Sequence, residues 1–278
     1  STPVIHTKDG WVRGCTLAGG GSAFTVPFAE PPIGDLRFRA PRHLSAPWDG
    51  VFDGTRFATP CPQFSETASD EARFYGQEDC LYLSVHVPPS AVQRNATTEG
   101  GGQSLLPVMF WIYGGAFVLG DSYEFGWYDP KTFVQKNDVI IVAANYRVSA
   151  LGFLAHQALK EEDAADRNVP LSDGSTGNMG LRDQRLAMAW VQDNIGGFGG
   201  DPDRVTIFGE SAGGISVCAH VANGEACEGL FSGAVMESGT CDGPELFLND
   251  TNAMLFGEDY ARLVWGCGGD DDDDSGDV

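Results

Sequence analysis

The chain has 278 residues, 42% hydrophobic and 11% aromatic, enough apolar length for a folded core rather than a disordered segment. Seventeen Lys and Arg stand against 39 Asp and Glu, a net charge of −22, which argues against nucleic acid or an anionic membrane as partner. No apolar run approaches membrane-spanning length, so no transmembrane segment is expected.

In chain order, "WVRGCTL" from Trp11 and "GSAFTVPFA" from Gly21 read as N-terminal strands, and "LYLSVHVP" from Leu81 as another. The polar, Gly-rich stretch around Asn95 reads as an exposed loop. "LPVMFWIYGG" from Leu106 and "NDVIIVAANYRV" from Asn137 are near-continuous apolar runs, the mark of strands buried on both faces. The stretch from Gly177 to Gly200 reads as a long amphipathic helix. Leu181, Leu186, Trp190 and Ile195 form its apolar side, and Gly196-Gly197 its stop. "DRVTIFGE" is a short buried strand. "SAGGISVCAHVANG" is a helix with Ile215, Val217, Cys218 and Val221 along one face. "LFSGAVMESG" is a further strand. Apolar strands separated by helices imply a parallel sheet covered on both faces.

Between the last strand–helix pair lies "FGESAGG". Ser211 stands between Gly209 and Gly213, the G-x-S-x-G pattern of a nucleophile elbow. The elbow is a sharp turn with room only for small flanking residues, and a strand before it and a helix after it are its required context. Ser211 is therefore the candidate nucleophile. Attack on an ester carbonyl puts negative charge on oxygen, and backbone N–H groups aimed there stabilise it. In Tyr113-Gly114-Gly115-Ala116 after a buried strand, Gly114, Gly115 and Ala116, like Ala212 after the serine, have the small side chains such a hole needs.

Seven cysteines occur, at 15, 61, 80, 218, 227, 241 and 267, with no C-x-x-C pair and no histidine spaced for zinc. Neither a metal nor another cofactor is expected. The acidic run "GGDDDDDSGDV" reads as a solvated tail or loop over 268–278, since it lacks the spacing of a calcium loop. Sequons at Asn95 and Asn249, together with the cysteines, favour glycosylation and a secreted protein or the secretory-pathway lumen.

"FAEPPIGDLRFRAP", "EDCLYLSVHVP", "WIYGGAF" and the run from Gly177 through "FGESAGG" appear in the order of one family's motifs. The chain resembles the type-B carboxylesterase/cholinesterase-like branch of the α/β-hydrolase fold. The resemblance implies a predominantly parallel central sheet flanked by helices, of which residues 1–278 form about the N-terminal half as part of a single domain. It implies a serine esterase acting through an acyl-enzyme on a small-molecule or lipid ester. By the same resemblance Gly115, Ala116 and Ala212 are oxyanion donors and Gly114 shapes their loop. Where the family often has a third glycine, this chain has Ala116. Glu210 either tunes the field of the site or pairs with a core arginine. Cys61 and Cys80 resemble the family's first disulfide. The loop they close contains Phe64, Phe74 and Tyr75 but no tryptophan, which argues against choline esters. Some family members are non-catalytic adhesion proteins, and that is the alternative reading.

In this fold the order is nucleophile, acid, histidine. Of five histidines only His220 follows Ser211, nine residues on along the same helix, so it should point away from the site. The expectation is a second chain from the same precursor, cut after Gly269, that supplies the acid and the histidine. Cys267 resembles the first cysteine of a family disulfide whose partner lies downstream, and it is the candidate interchain link.

Overall fold

The computed structural model describes residues 2–64, 74–91, 104–165, 176–243 and 248–266. The chain opens with β1 (Val4–Thr7), β2 (Gly10–Arg13), β3 (Cys15–Thr16), β4 (Ser22–Pro27) and β5 (Val51–Asp53). The short pair β6 (Gln63–Phe64) and β7 (Phe74–Tyr75) follows, then β8 (Tyr82–Val87) and β9 (Leu106–Ile112). Next come α1 (Lys131–Lys136), β10 (Ile140–Ala144), α2 (Ser149–Phe153), α3 (Gln157–Ala165) and α4 (Met179–Asn194). β11 (Gly200–Glu210), α5 (Ala212–Ala222), β12 (Gly233–Glu237) and α6 (Asp250–Trp265) complete it.

Seven strands form the main sheet in the order β12-β11-β9-β10-β8-β4-β3. β12, β11, β9 and β10 are mutually parallel; β8, β4 and β3 continue the sheet antiparallel. β1, β2 and β5 make a separate three-stranded sheet. The stretch "WVRGCTL" is thus two strands in two sheets, because Gly14 lies between residues that pair with β1 and residues that pair with β4. Phe24, Leu83, Val85, Val108, Phe110, Ile140, Val142, Val205 and Ile207 meet in one core, as the continuous apolar runs require.

The long helix departs from the two-faced pattern. α4 buries Arg182, Asp183, Gln184 and Asn194 as well as Leu186 and Trp190, while Leu181 is half-exposed. Its polar residues are inside because they are paired. Arg147 clasps Asp183 with Nε and Nη2 at 2.8 and 2.6 Å, and its own backbone N–H donates to the same carboxylate. Burial pushes the Asp183 carboxyl up, against the pull of Arg147. The helix also runs past Gly196-Gly197 as a 3₁₀ turn over Ile195–Phe198 and stops at Gly199, whose φ of 87° is left-handed. In α5, Val217 and Cys218 are buried as expected, but Val221 faces outward.

β12 is the outer edge of the sheet, and Val235 and Met236 on it are 42% and 45% exposed. Among the described residues no helix is long and apolar enough to cross a membrane.

Candidate active site

Ser211 sits between β11 and α5 with φ 55° and ψ −121°, a backbone that costs a non-glycine residue about 1–3 kcal/mol. Neighbours on three sides enforce it. The Ser211 N–H donates to Glu237 O at the end of β12 (2.9 Å). A Cβ on Gly213 would stand 2.0 Å from Ile112 O, and one on Gly209 would stand 2.5 Å from the Gly213 carbonyl carbon. The two glycines of the motif thus let strand and helix cross at contact distance.

The loop after β9 lies against this turn. A Cβ on Gly114 would be 2.9 Å from Glu210 O and 3.2 Å from Ser211 Cβ. Gly115 (φ 100°), Ala116 (φ 52°) and Phe117 (φ 62°) all take left-handed backbone, and Val118 and Leu119 N–H groups fold back onto Gly115 O. Among the described residues the Gly115 and Ala116 N–H groups donate to no backbone acceptor. Ala212 opens α5, where the first N–H groups have no acceptor inside the helix. Gly114 thus lies against the serine turn, with Gly115 and Ala116 next in its loop and Ala212 directly after the serine.

Two devices hold the loop, and the sequence carried no signal for either. Tyr113 Oη donates to Tyr146 O (2.8 Å) and Tyr146 Oη to Tyr113 O (2.9 Å), with the rings stacked 4.2 Å apart. Burial raises both phenols, so they remain neutral donors. At the other end Gln63 pairs with Gly120 through both its amide atoms, at 2.9 and 2.7 Å. Gln63 lies inside the loop that the Cys61–Cys80 disulfide closes, with Cα atoms 5.0 Å apart. Phe64 and Phe74 of that loop meet edge to face at 5.8 Å, and Phe74 is exposed.

Glu210 makes no ion pair with an arginine among the described residues; its Oε2 faces Gly114. Its charge is felt at Tyr128, whose phenol is raised first by burial and then by Glu124, Glu210 and Asp121. Ala116 also lines a cavity of about 520 Å³ with Phe117, Phe153, Ile215 and Leu248, a size suited to a small organic ligand.

Among the described residues no hydrogen bond involves Ser211 Oγ. His220 is buried in the helix packing, bonded to Gln184 and facing Cys227, as a histidine pointing away from the serine must be. A second disulfide, Cys218–Cys241, ties α5 to the segment after β12; cysteine spacing had left the pairing of both residues open. Asn249 caps α6, its Oδ1 accepting from Asn252 N (2.9 Å). Asn95, Cys267 and the acidic run lie outside the described residues.

A mixed sheet with flanking helices and a serine on the turn between a parallel strand and a helix define the class: the N-terminal portion of an α/β-hydrolase. The profile described as "Carboxylesterase family" matches residues 1–274, and the chain belongs to that family. It is 40% identical over 261 residues to an acylcarnitine hydrolase of Mus musculus, covering 91% of this chain and 40% of that protein. It is 39% identical over 258 residues to an acetylcholinesterase of Gallus gallus, covering 87% of this chain and 30% of that protein. A solved thermophilic PNB esterase superposes with a TM-score of 0.77 at 35% identity, over 95% of this chain and 49% of the other. The chain thus spans less than half the length of these relatives.

Proposed function

We propose that these residues form the nucleophile-bearing part of a serine carboxylic-ester hydrolase. The observation that carries the reading is the strained Ser211 turn pressed against Gly114 of the glycine-rich loop after β9. Ser211 Oγ adds to the ester carbonyl, and the oxyanion takes hydrogen bonds from the N–H groups of Gly115, Ala116 and Ala212. Collapse expels the alcohol and leaves an acyl-serine, which water hydrolyses to acid and free enzyme. Glu210 adds negative potential beside the serine.

The base that takes the serine proton, and the acid that orients it, lie outside these 278 residues. Three things support this. Among the described residues no histidine bonds to Ser211, the β12 edge is open, and the chain spans less than half the length of its relatives. The relatives named differ in the alcohol of their esters, so the carboxylic ester bond is the shared substrate feature. Two disulfides support an oxidising, secretory compartment.

The test uses the full-length protein. An organophosphate should label Ser211, and Ser211→Ala should lower turnover of a short p-nitrophenyl ester by about 10³-fold or more. A label found elsewhere, or full activity of the variant, overturns the reading.

A further inference from the structure

The side of α5 turned toward α4 carries an unbroken run of buried hydrogen bonds. Its direction can be read from one end. Ala212 O can only accept, so Ser216 Oγ donates to it (2.9 Å). With its proton committed, Ser216 Oγ accepts from Gln184 Nε2 (3.1 Å). Gln184 Oε1 then accepts from His220 Nε2–H (2.8 Å), which leaves His220 Nδ1 as an acceptor. Cys227 Sγ, 3.6 Å from Nδ1, donates to it. All four side chains are buried. The ring keeps a single N–H because burial, then the charge of Arg185, lowers His220 to about 4.

Every donor in this run points toward Ala212, the first residue of α5 and the neighbour of Ser211. A serine hydroxyl bonded back to the carbonyl four residues earlier bends a helix slightly, and a second donor fixes that hydroxyl. We propose that Ser216, Gln184 and His220 are positioning residues for the oxyanion hole, with Cys227 as the outermost donor. They fix the plane of the first turn of α5 and thereby the aim of the Ala212 N–H. Helix α4 carries the reference point, since Arg147 clasps it one residue before Gln184. A donor misaimed by a fraction of an ångström loses most in the transition state, where charge on the oxyanion peaks.

The proposal rests on the reading of Ser211 as nucleophile. It is tested in the full-length protein with a short p-nitrophenyl ester and a trifluoromethyl ketone, which adds to a serine to give an oxyanion. Ser216→Ala and Gln184→Met should each lower kcat about fivefold at unchanged KM, and weaken the ketone by the same factor. The double variant should be no worse than about the weaker single, since both cut one route. Cys227→Ser, which keeps a donor, should restore most of what Cys227→Ala loses. If Gln184→Met fails to fold, Ser216→Ala, the loss of one oxygen, decides the matter. Lowered melting temperature with kcat and ketone affinity untouched overturns the proposal, as does an effect on KM alone. A wild-type protein that neither hydrolyses nor is labelled removes the nucleophile reading first; an active wild type with indifferent variants removes this proposal only.

Discussion

Ala116 holds a left-handed backbone, φ 52°, in the loop proposed to form the oxyanion hole, and it lines the 520 Å³ cavity. Glycine takes that conformation freely and leaves more room. Ala116→Gly should therefore raise turnover of bulky tertiary-alcohol esters more than that of primary-alcohol esters. Parallel rates on the two substrates compare them directly, and an equal change on both counts against the methyl group as the limit.

Two other single residues set a pH dependence. His86 and His220 are both buried and both lowered to about 4, chiefly by burial. Asp129 partly opposes the shift at His86, and Arg185 adds to that at His220. His86 Nδ1 has no hydrogen-bond partner. Unfolded, each has a pKa near the ordinary 6.5, so between about 6.5 and 4 the unfolded chain binds more protons than the folded one. Stability then falls as pH falls, by up to about 1.4 kcal/mol per pH unit for each ring. Glu124 and Asp183, raised by burial, act with the opposite sign. Denaturant midpoints measured at pH 7 and pH 5 should draw closer in His86→Gln than in the parent. An unchanged difference would show that His86 is not a source of the acid lability.

At the scale of elements, the site is made where α5 crosses β11 and the end of β9. Gly213→Ala tests that crossing. The new methyl would meet Ile112 O at 2.0 Å, and backbone on both sides has nowhere to move. Overpacking should destabilise by about 1–3 kcal/mol, and shifting the elbow should cost activity even in the folded fraction. Chemical denaturation and active-site titration separate the two losses; full activity per folded molecule would mean that the elbow tolerates the push. This crossing was legible in the sequence because it depends on local requirements: small flanks, a β-branched strand before, a helix after. The placing of Gly114 beside Ser211, 97 positions away, was legible only through the family resemblance. Gln63, Tyr113 and Tyr146 were not legible, since each acts by pairing with a distant backbone group that no spacing reveals. α4 was read as two-faced because Arg182, Asp183 and Gln184 look like a solvated side. They are buried because Asp163, Arg147, Ser216 and His220 arrive from elsewhere in the chain to pair with them.

For the whole molecule, two described elements leave large apolar side chains exposed. β12 presents Val235 and Met236 on an unpaired sheet edge, and α6 leaves Leu255, Phe256, Leu263, Val264 and Trp265 exposed. An unpaired parallel edge and a helix with exposed large side chains are each aggregation hazards that native folds cover. The chemistry is open in the same sense. Among the described residues no base bonds to Ser211, and a base and its orienting acid contribute several orders of magnitude to the rate. One complement would answer both needs: further strands beside β12 that bring the acid and then the histidine. Residues 1–278 produced alone should therefore bind a hydrophobic dye, associate in solution and hydrolyse p-nitrophenyl esters no faster than Ser211→Ala. Co-production with the downstream part of the precursor should restore a soluble, active species. If Cys267 links the two, that species should run as one larger band without reductant and as two with it. A monomeric 278-residue chain that excludes the dye and hydrolyses esters at the full rate would overturn the proposal. Two reductant-independent bands with full activity would remove Cys267 as the link and leave the complementation standing.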